Sequence, residues 1–112
     1  MNDLSWSEFE RVDIRVGTVI QADDFPEARN PALKLIIDFG EELGQLKSSA
    51  QITDLYDKKY LLEKQILAVV NFPKKQIGPL MSECLVLGVV GTGKGVVLIE
   101  PEQHVDNGLR IC

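Results

Sequence analysis

Cysteine, histidine, long apolar runs and excess positive charge are what this 112-residue chain has least of, and each shortage removes a class of function. Cys84 and Cys112 form no CxxC pair and His104 is the only histidine, so no zinc site can be assembled from spacing. Cys84 leads into an apolar run and reads as a small packing residue, and both thiols are expected to be reduced. Nucleophilic catalysis would need Ser or Cys beside a base and an orienting group, and no such set stands out. The expectation is therefore no enzyme, no catalytic residue, no metal and no cofactor.

No stretch approaches the roughly 18 uninterrupted apolar residues of a membrane helix. The start, Met1-Asn-Asp-Leu-Ser-Trp-Ser-Glu8, is acidic rather than basic and apolar, which predicts no export leader, no membrane insertion and a cytoplasmic protein. Twelve Lys and Arg against seventeen Asp and Glu leave a formal charge of −5, which opposes indiscriminate binding to polyanions. The charge is uneven. Residues 1–60 hold twelve acids and seven bases, residues 61–112 hold five of each, and between Lys64 and Ser82 there are three lysines and no acid. Such a local basic surface can select one shaped polyanion. Gly88 to Gly95 fits GxxxxGK, but Gly95 stands where a phosphate loop needs Ser or Thr, and a strand-like run follows in place of a helix; a glycine-rich hairpin fits better.

What is present is one globular domain over residues 1–112. Ser5 with Glu8 has the form of a capping box opening a short helix. β-Branched, alternating or apolar segments at Val12–Ile20 and Leu33–Phe39 predict two strands, with 23–32 a proline-bearing loop between them, and Gln45–Ala50, after a turn bracketed by Gly40 and Gly44, predicts a third short strand with small residues at its end. Thr53 to Lys64 lacks Gly and Pro and predicts a helix of two to three turns capped at Thr53. Ile66–Val70, Leu85–Val90 and Val96–Ile99 predict further strands, the last two paired across Gly91–Gly95. The predicted class is all-β with short helices: a five-stranded OB-fold Greek-key barrel, one helix after strand three, and N- and C-terminal extensions. An SH3-like or other small barrel is the alternative.

Polar and basic groups recur within or just after successive strands: Arg15 in the first, Lys47, Ser48, Ser49 and Gln51 at the end of the third, then Asn71, Lys74, Lys75, Gln76 and Ser82. By strand alternation Arg15 is expected on the outer face. Together these residues form the candidate RNA-binding face. Phe25, Phe72, Ile77, Leu80 and Met81 are the candidate contacts for an extended polypeptide, with core or interface positions as the alternative.

Asp13-Ile-Arg-Val-Gly17, Lys47-Ser-Ser-Ala-Gln-Ile52, Val69-Val-Asn-Phe-Pro73 and Met81-Ser-Glu83 before Leu85-Val-Leu-Gly88 resemble, in this order, the CsaA-type proteins of the tRNA-binding domain family. The likeness runs from about Phe9 to Arg110. It departs from the wider family at Phe25-Pro-Glu-Ala-Arg-Asn-Pro-Ala-Leu-Lys34, which lacks the family's usual histidine, and at Gly78-Pro-Leu-Met81, which replaces a more basic loop. The resemblance implies an OB-fold core, a homodimer built partly from the terminal extensions, and two kinds of ligand, tRNA and unfolded or exported polypeptides. It places Arg15, Lys47 to Gln51, Asn71 and Ser82 at family motif positions, with Lys74 and Lys75 where the family is basic.

Overall fold

Alternation decides the sheet. In β2 (Leu33–Asp38), Leu33, Leu35 and Ile37 are buried while Lys34, Ile36 and Asp38 are partly exposed, so one edge of the period-two pattern forms the barrel interior. The computed structural model describes residues 2–112. Its main sheet is antiparallel, in the order β3 (Gln45–Ala50), β2, β1 (Ile14–Asp24), β4 (Gln65–Val69), β7 (Leu85–Val86). Two hairpins complete it, β5 (Lys75–Ile77) with β6 (Leu80–Ser82), and β8 (Gly88–Val89) with β9 (Val97–Leu98).

The long β1 serves two neighbours because it bends. Ile14 to Thr18 pair with β4 and Thr18 to Asp24 pair with β2, with a register shift between Val19 and Gln21. A bulge there turns the strand and steepens its twist, as a small barrel requires. Gly17 lies two residues before this bend, where a Cβ would stand 2.6 Å from Ile37 Cγ2 and 2.7 Å from the Phe39 ring. The edges approach each other between β3 and residues 82–84. Ser48 Oγ donates to the Cys84 carbonyl at 2.9 Å, and the Glu83 amide donates to the Lys47 carbonyl at 2.8 Å. The result is the nearly closed five-stranded OB-type barrel the sequence predicts.

The predicted N-terminal helix is α1 (Trp6–Glu10), with the Ser5–Glu8 capping box intact. A single further turn, α2 (Gly40–Leu43), fills the β2–β3 connection. The predicted helix over 53–64 is much shorter: α3 spans Lys58–Leu61 and is capped by Asp57, which accepts from the Tyr60 amide at 2.7 Å, not by Thr53. Tertiary contacts take the first half. Tyr56 Oη accepts from the Leu98 amide at 3.0 Å, and the glycine-rich turn packs on Asp54 and Leu55. Glu63, at φ 72°, ends the helix by donating its amide to the Val19 carbonyl at 2.8 Å.

The C-terminal extension lies along the first half of β1, on the edge opposite β4 and beyond the end of β2. Val16 donates to the Leu109 carbonyl at 3.0 Å, Gly108 to the Val16 carbonyl at 2.7 Å, and Ile111 to the Ile14 carbonyl at 2.9 Å. The buried Gln65 holds the same segment through the Val105 carbonyl at 2.6 Å. Among the described residues, no helix is long and apolar enough to cross a membrane. Burial pushes the Cys84 thiol up to about 12, so this sulfur stays protonated and packs as a small apolar group.

Candidate nucleic-acid interface

The β1–β2 loop and the β5–β6 hairpin stand on either side of β3. Between them lies a groove of about 480 Å³ that brings together Ser49, Gln51, Lys75, Gln76 and Ile77, with Glu27 to Asn30 on the opposite wall. Ser49 and Gln51 reach it because β3 alternates: Ser48 and Ala50 point inward while Lys47, Ser49 and Gln51 point outward. The hairpin over 75–82, for which the sequence predicts no strand, forms because Gly78 takes φ 53° at its turn, and Gln76 Nε2 donates to the Gly78 carbonyl at 2.6 Å.

Cations gather on this side. Lys75 and Arg29 line the groove, both exposed, and among the described residues neither makes an ion pair. Lys34, opposite Ser49 in the β2–β3 register, sits 5.6 Å over the Phe25 ring. Lys74 lies beside the hairpin, 3.5 Å from Glu83 Oε2 and 67% exposed, an ion pair worth little in water. Arg29 was not among the sequence candidates. Its signal, a cation in a loop between the first two strands, was available but carried no pattern.

Other candidates have structural partners instead. Ser48 is 1% exposed and spends its hydroxyl on barrel closure, so its place in the RNA-binding set is corrected: inward alternation leaves it no surface. Ser82 Oγ accepts from the Ser49 amide at 3.3 Å, again across the closing seam. Arg15 does not project freely from the outer face. Its Nε donates to Asp13 Oδ1 at 2.6 Å and its Nη1 to the Gly108 carbonyl at 2.9 Å, since the C-terminal segment covers this part of β1. The Asp13 hydrogen bond also raises its affinity for the proton. Asn71 accepts from the Asp13 amide at 3.0 Å and donates to the Arg11 carbonyl at 2.6 Å, which pins the entry to β1 against the end of β4.

The polypeptide candidates do not converge. Phe25 is 4% exposed and takes the core alternative, which corrects the surface-contact one: the loop that carries it folds back beneath Lys34. Phe72 is 56% exposed in a separate cavity with Leu4, Val12 and Val69. Ile77 and Leu80 are half-buried in the hairpin, and Met81 is exposed on it. The GxxxxGK stretch forms the β8–β9 turn, with strands on both sides and no helix to receive a phosphate.

The family model described as "Putative tRNA binding domain" matches residues 14–110. Solved structures titled as chaperone CsaA from Bacillus anthracis and CsaA chaperone protein from Picrophilus torridus are each 47% identical to the chain, with TM-scores of 0.92. They cover 99% and 98% of it and are themselves covered completely. A methionine–tRNA ligase from Archaeoglobus fulgidus is 31% identical over 110 residues, 98% of this chain but 16% of the ligase, so the chain spans about a sixth of such curated relatives. The matched span, the barrel topology and the full-length likeness together place the chain in the tRNA-binding domain family, as a CsaA-type member.

Proposed function

We propose that the chain is a noncatalytic, cytoplasmic tRNA-binding protein that holds RNA along the groove between the β1–β2 loop and the β5–β6 hairpin. The observation that carries this reading is the convergence of Ser49, Gln51, Lys75 and Gln76 in one groove faced by Arg29. Lys47, Lys74 and Lys75 meet phosphates, while Ser49, Gln51 and Gln76 set register through hydrogen bonds, an arrangement suited to reading RNA by shape. Arg15, Asn71 and Ser82 act behind this surface by fixing the strands that bear it. Lysine acylation followed by mass spectrometry tests the placement. Bound tRNA is expected to protect Lys47 and Lys75, and equal acylation of both with and without tRNA would overturn it.

The apolar surface supports a second association. Trp6 is 82% exposed, and Leu4, Val12, Phe72 and Leu109 are also open. Trp6, Phe9, Val12 and Ile111 line one cavity, and Leu4, Val12 and Phe72 the adjoining one. Apolar surface of this kind marks an interface. Its position on both terminal extensions favours a twofold homodimer, in which the same patch meets itself. Sedimentation equilibrium should report twice the chain mass, and Trp6→Ser with Leu109→Ser should return the monomer. A monomeric parent would leave this surface open to unfolded or exported polypeptide, the second reading, which is in keeping with the word chaperone in the names of the CsaA relatives.

A further inference from the structure

The groove does not end at Gln51. Asn30 and Gln51 also line a second cavity of about 470 Å³, bounded by Asp54 and by the glycine-rich turn between β8 and β9. Gly91, Gly93 and Gly95 all take positive φ there. Thr92 Oγ1 locks the turn by donating to the Gly95 carbonyl at 2.7 Å and accepting from the Lys94 amide at 3.1 Å. A Cβ on Gly95 would lie 2.7 Å from Asp54 Cβ, so the turn packs directly on this acid and keeps it beside the cavity. Val90 and Val96 add apolar surface to the same wall.

A carboxylate next to a polyanion's path repels phosphate, so it selects for a group that donates to it. Asp54 offers acceptors only. On the Watson–Crick edges of the RNA bases, guanine alone presents two adjacent donors, N1–H and the N2 amino group. Adenine and cytosine place a lone pair beside their amino group, and uracil flanks its single N–H with carbonyls, so each meets the carboxylate with one repulsive contact. In a duplex this edge is already paired.

Resting on the RNA reading above, the geometry points to a pocket for one unpaired guanine of the bound strand. Asp54 accepts from N1–H and N2–H, Asn30 and Gln51 offer carboxamide donors for O6, and Val90 and Val96 lie against the base. Arg29 and Lys75 hold neighbouring phosphates in the adjoining groove.

Fluorescence anisotropy at low salt with four short single-stranded RNAs, identical except for one central base, tests this. The guanine oligomer is expected to bind about tenfold more tightly than the other three. Asp54→Asn should abolish the preference without altering the melting temperature, whereas Lys75→Ala should weaken all four by one common factor and leave the preference intact. Equal binding of the four by the parent overturns the guanine pocket and leaves the RNA reading standing. So does a preference that survives Asp54→Asn, or binding of tRNA with none of the oligomers. Failure of the parent to bind tRNA or any oligomer removes the RNA reading itself, and this pocket with it.

Discussion

Replacing Lys74 and Lys75 together with alanine is expected to weaken tRNA binding and to flatten the dependence of log affinity on log salt by about 1.4 to 1.8. That range is two phosphate contacts at about 0.7 each for single strands or 0.9 each for a duplex. Across a rise from about 50 to 200 mM salt, the same slope change makes the variant's deficit shrink by about tenfold, which separates lost phosphate contacts from lost shape. The two lysines are not equivalent. Lys75 lines the groove without an ion pair, while Lys74 stands near Glu83 and is partly neutralised before RNA arrives. Lys75→Ala alone should therefore account for the larger share. Both side chains are exposed, so stability should change by no more than about 0.5 kcal/mol. Unchanged affinity and slope in the double variant would show that this basic surface is ordinary solvated charge.

The strands were legible for two reasons: burial on one face imposes period two on β2 and β3, whereas β4 is buried on both faces and shows as a short apolar run. β5 and β6 were not, since three residues a side are too few to establish a period and Lys75, Gln76 and Met81 are exposed whichever way the hairpin faces. The segment before α3 misled for a different reason. Thr53 to Asp57 has helix-compatible residues, but its Tyr56 hydroxyl and the space beside Asp54 are taken up by β9 and the β8–β9 turn, about 40 residues later in sequence.

The candidate site divides along the same line. Outward positions on β3 were available from alternation, which separates Ser49 and Gln51 from Ser48 once the strand is treated residue by residue. The fates of Arg15 and Asn71 were not available. Beyond the Asp13 carboxylate that Arg15 meets two residues away, their partners are the backbone at Gly108 for Arg15 and at Arg11 and Asp13 for Asn71, which the folded chain alone brings within reach. Polar side chains that satisfy distant backbone groups look, in sequence, the same as those that await a ligand. Arg29 was hidden by the opposite problem, a position set by a loop whose path depends on burying Phe25.

Gly17→Ala is expected to cost about 2 kcal/mol, through overpacking of the barrel interior just before β1 bends. The new Cβ would lie 2.6 Å from Ile37 Cγ2 and 2.7 and 2.8 Å from two atoms of the Phe39 ring. Both neighbours are completely buried, so neither can swing into solvent to make room. Removing a glycine from a strand recovers about 0.5 to 1 kcal/mol of chain entropy, which offsets only part of a clash that, with three contacts under 3 Å, stands at the upper end of about 1 to 3 kcal/mol. Differential scanning calorimetry should show the melting temperature falling by about 8 °C, taking about 4 °C per kcal/mol for a domain of this size. Phe39→Leu alone should also destabilise, by loss of packed ring, yet combined with Gly17→Ala it should cost less than the two singles added, because the smaller side chain vacates the space the new methyl needs. A melting temperature unmoved by Gly17→Ala, or strict additivity in the pair, would mean that Ile37 and Phe39 do not pack this closely on the backbone of β1 at Gly17.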